Sequence, residues 1–225
     1  ATTLVFLRAG VFALALVPLA RLVWLGATGG LGANPVEFVT RSLGTWALAL
    51  LCAALAPTPL RWATGVSWWL RLRRMLGLFC FFYATLHVLA YVGLDQWFDW
   101  RRVLQDIGRR PYITLGFAAW LLLVPLAITS TNAMVRWLGG RNWQRLHRSV
   151  YAVAVLAALH FVWQRVAKNN MTEPLVYAAV VAVLLGVRLL HRFGGMSRAH
   201  RVRGVQGSVV SPANSDSTVS RSRTQ

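Results

Sequence analysis

Acidic residues are nearly missing from this sequence: six Asp and Glu stand against 24 Lys and Arg in 225 residues. Charged residues of either sign make up 13% of the chain, where a soluble domain carries roughly a quarter. An ordinary water-facing globular surface is therefore excluded. Lysine is rarer still, since Lys168 is the only one and the other 23 cations are arginines. Cysteine occurs twice, as Cys52 and Cys80, both inside apolar runs. Two such residues make no disulfide framework, and without Cys-x-x-Cys-His there is no covalent c-type haem attachment. Both read as small buried hydrophobes. No G-x-G-x-x-G follows a strand and no soluble domain is present to hold one, so the chain carries no nicotinamide site of its own.

What the sequence has in quantity is apolar length. Hydrophobic residues make up 56% of it, gathered in six runs near 3–25, 42–60, 75–94, 111–130, 148–164 and 174–191. Each run is about 17–23 residues, enough to cross a hydrocarbon core of ~30 Å as a helix. A helix is required, because lipid cannot satisfy free backbone groups. The sequence thus predicts an all-α integral membrane protein, a six-transmembrane-helix bundle over residues 1–195. A basic, serine-rich cytoplasmic tail over 196–225 is expected to be disordered. The first run is followed by no A-x-A-like cleavage site and reads as a membrane helix rather than a signal peptide.

The net charge of +18 invites a nucleic-acid reading, but its distribution argues for lipid. Most arginines flank the apolar runs, and no zinc knuckle or recognition-helix pattern accompanies them. Loops two–three and four–five and the tail hold fifteen cations, against seven in the opposite loops. This bias predicts a multi-pass protein with both termini in the cytoplasm. Trp68, Trp69, Trp97, Trp100, Trp143 and Trp163 fall near run ends, where aromatic rings anchor at the headgroups. The Gly- and Pro-rich stretch 29–35 predicts a turn, and 94–110, with three Asp and four Arg, predicts a segment on the membrane surface.

Histidine supplies the candidate chemistry. His87 lies inside run three and His160 inside run five, and an ionisable group at membrane depth points to function. Both runs cross in the same direction. His87 follows Arg74 by 13 residues and His160 follows His147 by 13, which puts both rings at one level about 20 Å from that interface. Two imidazoles at one height can clamp an iron porphyrin, whereas zinc would want three or four protein ligands. A single intramembrane histidine can equally serve as a helix-joining hydrogen-bonding residue. His147 marks a second level, with Arg74 at the matching position of run three. Arginine is a poor iron ligand but a good propionate partner, as are Arg73, Arg145 and Arg148. In a continuous helix, 13 residues would leave His147 and His160 about 140° apart in azimuth. His191 and His200 read as solvated or lipid-facing.

Several strings resemble the MsrQ (YedZ) family of haem-binding membrane subunits: Gly29-Gly30-Leu31-Gly32-Ala33-Asn34-Pro35, Arg73-Arg74-Met75-Leu76-Gly77-Leu78, Ala84-Thr85-Leu86-His87, Arg110-Pro111-Tyr112-Ile113-Thr114-Leu115-Gly116, Thr129-Ser130-Thr131, Trp143-Gln144-Arg145-Leu146-His147 and Leu159-His160. They run in order over roughly residues 24 to 190. The resemblance implies a ferric-reductase-like transmembrane domain in the bacterial inner membrane, with haem histidines at His87, His147 and His160 and one or two b-type haems. It implies electron transfer from a cytoplasmic flavin reductase or the quinone pool to MsrP, a periplasmic molybdenum-cofactor enzyme that reduces methionine sulfoxide in proteins. It also implies FMN, for which no residue indicates a place. Run three carries one histidine where related oxidases have two, so the haem count stays open. The expected function is an electron-transfer subunit that is not catalytic alone, its loops 26–41 and 95–110 docking the periplasmic partner. A stand-alone ferric or quinone reductase would share every internal feature. A histidine-based proton transporter would show acids inside the runs, which are few.

Overall fold

Helix is the only regular structure among the described residues of the computed structural model, which are 2–166 and 171–207 for backbone and 5–166 and 171–193 for side chains. Six stretches are long and apolar enough to cross a bilayer: Val5–Ala27, Pro35–Thr64, Trp68–Asp95, Pro111–Ile128, Gly140–Val166 and Thr172–Phe193. They coincide with the six apolar runs and make this a multi-pass membrane protein. In chain order the helices are α1 (Thr2–Ala27), α2 (Pro35–Leu55), α3 (Pro57–Thr64), α4 (Arg73–Ala90), α5 (Trp100–Arg109), α6 (Pro111–Ile128), α7 (Asn132–Leu138), α8 (Gly140–His147), α9 (Val150–Val166) and α10 (Thr172–Gly207). The chain divides into a unit Ala1–Gly186, which holds every site residue below, and a unit Val187–Gln225. Residues 208–225 of the expected tail lie outside the described residues. His191 is exposed, and the side chain of His200 is also outside them.

Four helices form the centre. α2 packs along α4 and α6 along α9, and contacts of α4 with α6 and of α2 with α9 close the ring. Leu51, Leu55, Cys80, Val153 and Ala154 are buried in the core, and both cysteines are buried free thiols, as expected. Outward faces carry large apolar side chains such as Phe6, Leu121 and Leu175, the arrangement that hydrocarbon solvent permits.

Local chemistry sets the helix ends. The Asn34 side chain caps α2 by accepting from the Glu37 N–H at 3.2 Å, and Pro35 fills the first helical position. The second span therefore begins seven residues before the apolar run suggests. Residues 35–41, expected in an outer loop, are helical and carry Thr40 and Arg41 into the bundle. The glycine-rich turn before them is present, with Gly29 and Gly32 at φ +74 and +78, where a side chain would be strained. α8 and α9 are separate helices joined through Arg148 and Ser149, so the 140° offset of a continuous helix does not apply to His147 and His160. Residues 100–109 form the short α5, with Val103 buried and Leu104 exposed.

In α1, Pro18 lacks an N–H and crowds the preceding turn. Tyr83 repairs the damage from α4. Its hydroxyl donates to the Ala15 carbonyl at 2.7 Å and accepts from the Leu19 N–H at 3.1 Å, standing in the rung that Leu19 and Ala15 would otherwise share. Tyr83→Phe is expected to cost about 1–2 kcal/mol, read as a lower melting temperature in detergent. An unchanged melt would show that α1 closes that rung unaided.

Candidate cofactor site

His87 on α4 and His160 on α9 face each other across the centre of the four-helix ring. Their ring centroids are 6.2 Å apart with planes at 74°, so the two rings meet as their matched heights require. Each is held in the same way from the neighbouring helix. His87 Nδ1 lies 2.8 Å from the Thr40 carbonyl of α2, and His160 Nδ1 lies 2.6 Å from the Tyr112 carbonyl of α6. A carbonyl only accepts, so Nδ1 carries the proton in both rings and Nε2 keeps its lone pair for a ligand.

Glycine makes those contacts possible. A Cβ at Gly44 would stand 3.0 Å from His87 Cε1, and one at Gly116 would stand 2.9 Å from both Cε1 and Nδ1 of His160. Gly44 comes one turn after Thr40, and Gly116 one turn after Tyr112. Each histidine thus lies flat on a glycine and reaches the carbonyl of the turn before. The two supports are copies of one device, and neither was anticipated from the sequence. The available signal was a glycine inside an apolar run, which marks close helix approach in membranes.

Both rings border a cavity of about 360 Å³ enclosed by α2, α4, α6 and α9. Leu48, Ala84, Leu123 and Ala157 line its apolar walls. Its polar end holds Arg41 and Arg110, paired with Glu37 at 3.6 Å and Asp106 at 3.4 Å. The Tyr112 side chain and the Asp106 carboxylate hold the Arg110 guanidinium above its ordinary range, so it is a permanent cation. Directly after His87's helix, a π turn over Tyr91–Asp95 aims the Tyr91 hydroxyl at Asp106, to which it donates at 3.0 Å. Such turns recur at functional sites.

The arginines expected as propionate partners at the second, His147 level stand apart from this cavity. Arg73, Arg74 and Arg145 do not line this cavity. Arg74 donates to Asn132 at 3.0 Å, while Arg73 lies close enough for its charge to act on His147. His147 itself lies outside the central cavity. Its Nε2 is 3.0 Å from the Thr129 hydroxyl, and Trp143 stacks on the ring at 4.0 Å while donating to the Thr129 carbonyl. Trp143 is therefore tied to His147 and Thr129 rather than serving only as an interfacial anchor. Arg165, which sequence puts in an outer loop, is 3% exposed; it binds Glu173 at 3.0 Å and lies over the Phe161 ring, tying α9 to α10.

This donor set fits a metal macrocycle: His87 and His160, with ring centroids 6.2 Å apart and Nε2 free on each, would supply it two imidazole nitrogen donors. A bare ion would need more ligands, and among the described residues no group of three or more His, Cys, Asp or Glu is placed to hold one.

Comparison with known proteins identifies the family of this fold. Residues 43–158, which contain Gly44, His87, Gly116 and His147, match the family of ferric reductase like transmembrane components. The protein-methionine-sulfoxide reductase heme-binding subunit MsrQ of Ralstonia nicotianae is 58% identical over 182 residues, covering 81% of this chain and 84% of that one. Its counterpart in Herminiimonas arsenicoxydans is 47% identical over 89% of this chain and 92% of its own, and that of Rhodospirillum rubrum is 53% identical over 81% and 87%. With a four-helix ring that presents two opposed imidazoles, and with relatives this similar along most of their length, the chain belongs to the MsrQ family of ferric-reductase-like membrane proteins.

Proposed function

We propose that this protein is the haem-binding electron-transfer subunit of a methionine sulfoxide reductase system. In this reading it carries electrons from a cytoplasmic flavin reductase or the quinone pool to MsrP, a periplasmic molybdenum-cofactor enzyme. The observation that carries the reading is the opposed pair His87 and His160, with both Nδ1 protons committed to carbonyls. A b-type haem held between them supplies a reversible one-electron iron couple. The chain's own contribution is to fix both tautomers, to keep water from the apolar walls, and to set Arg41 and Arg110 as fixed cations at the polar end, where propionates would be paired.

The excess of arginine in loops two–three and four–five and in the tail supports cytoplasmic termini in a bacterial inner membrane. His87, His160, Arg41 and Arg110 then lie toward the periplasmic side, nearest the acceptor. His147, stacked on Trp143 and hydrogen-bonded to Thr129, is the candidate ligand of a second haem toward the cytoplasmic side, with Arg73 beside it.

The test is a reduced-minus-oxidised absorption spectrum of the purified protein, followed by stopped-flow oxidation on adding MsrP with a methionine sulfoxide substrate. Low-spin b-type bands that MsrP reoxidises are expected. Bands that only a ferric chelate reoxidises would make the chain a stand-alone ferric reductase, a rival favoured by the family match. A colourless protein would sink both. If a second haem is present, His147→Ala is expected to remove about half of the bound haem and leave the other half's spectrum unchanged. Full haem content in that variant would assign His147 a purely structural role.

A further inference from the structure

On the outside of the bundle, α1 and the start of the third span enclose a groove of about 620 Å³. Two stripes of side chains form it. On α1, Arg8, Phe12 and Leu16 recur every fourth residue, which aligns them along one face. On the other side Arg71, Met75 and Phe79 follow at the same interval, and Arg74, Leu78 and Phe82 extend that stripe. α1 and α4 run in the same direction, so Arg8, Arg71 and Arg74 all stand at one end and the apolar residues lead away from them into the membrane. Phe12, Leu78 and Phe82 are 51%, 39% and 39% exposed, so the floor of the groove is open to lipid.

The charge at this end has no acidic counterpart among the described residues. Of the six carboxylates, Glu37, Asp95, Asp99, Asp106 and Glu173 lie at the starts of α2 and α10 or between the third and fourth spans. Because the spans alternate in direction, that is the opposite end of the bundle from Arg8 and Arg71. Asp216 falls outside the described residues. Among the described residues Arg8, Arg71 and Arg74 make no ion pair with a carboxylate. The partner of Arg74 is the neutral amide of Asn132, which leaves its charge uncompensated.

We propose that this groove binds an anionic phospholipid, its phosphate held by Arg8, Arg71 and Arg74 and one acyl chain lying along Phe12, Met75 and Phe79. Guanidinium forks match phosphate oxygens, and basic pockets between membrane helices take anionic headgroups. The occupant's two parts correspond to the two parts of the groove: a cationic head at the interface and an apolar trough in the hydrocarbon layer. The bound lipid would fasten α1, much of whose surface faces outward, to α4. The proposal does not depend on the electron-transfer reading.

The experiment is native mass spectrometry and thermal melting of full-length protein, delipidated in neutral detergent and titrated with phosphatidylglycerol or phosphatidylcholine. Phosphatidylglycerol is expected to remain as a discrete adduct and to raise the melting temperature, and phosphatidylcholine to do neither. Arg8→Gln with Arg71→Gln should weaken phosphatidylglycerol binding on the order of tenfold or more. Arg61→Gln, whose site is outside the groove, should bind as the parent does, and Arg8→Lys with Arg71→Lys should recover part of the loss. Circular dichroism and gel filtration establish that each variant is folded. Equal binding of both lipids, or undiminished phosphatidylglycerol binding in the double Gln variant, overturns the proposal. So does binding of FMN, and not of lipid, that depends on Arg8 and Arg71.

Discussion

Replacing either His87 or His160 with Ala is expected to abolish the low-spin bands of the haem proposed between them. Disturbing only the hydrogen-bond partner of a metal-bound histidine costs about 10–100-fold in affinity, so losing the ligand should cost at least that. The rings are 6.2 Å apart on separate helices, and neither can occupy both positions. Each single variant should therefore lose the six-coordinate spectrum. Added imidazole should restore the bands in His160→Ala, because the cavity beside it remains and only the donor atom is gone. Recovery with imidazole would separate lost ligation from lost folding. If both variants keep the parent's spectrum, the paired ligation is wrong.

The second large effect is expected where no side chain exists. Gly116→Ala would put a methyl group 2.9 Å from two atoms of the His160 ring, and Gly44→Ala one at 3.0 Å from His87. Real Cβ contacts are not as short as 2.9 Å, so at Gly116 the ring must leave its place over the helix and give up the Nδ1–H to carbonyl bond that fixes its tautomer, whereas at Gly44 the ring must give by a few tenths of an ångström and strains the same bond. The neighbouring backbone cannot retreat within a close-packed helix pair. Overpacking of this kind costs about 1–3 kcal/mol, and misorienting the ligand adds a further loss of about 10–100-fold in haem affinity. The effect should be larger at Gly116, where the clash is closer. Gly77→Ala is the control, since nothing lies within 4 Å of a Cβ there. Haem content and the position of the reduced bands are the readouts. Parent-like haem in Gly116→Ala would mean the ring does not rest on that glycine when haem is bound.

Set beside the sequence, these two predictions differ in origin. The histidines were visible because a membrane helix converts residue number into depth at 1.5 Å per residue. Counting from Arg74 and His147 was enough to place His87 and His160 level. The same rule, with the bilayer's demand for about twenty apolar residues per crossing, delivered all six spans to within a few residues at most ends. The start of α2 was missed because Glu37 and Arg41 interrupt the apolar run. Their charges are carried at the polar end of the central cavity, inside the protein's own helix.

Gly44, Gly116, Arg41 and Arg110 could not be read as a site, because depth says nothing about azimuth. Lipid is as apolar as the bundle interior, so α6, hydrophobic all around, gives no indication of which face turns inward. The sequence therefore determined how many times this chain crosses the membrane and how high each histidine sits. Those quantities are set by backbone hydrogen bonding and bilayer thickness, which act on each helix alone. Which carbonyl receives each imidazole proton, which arginines share the cavity and that His147 stacks on Trp143 were decided only when helices packed. Such contacts depend on the rotation of one helix against another, and no single segment encodes that.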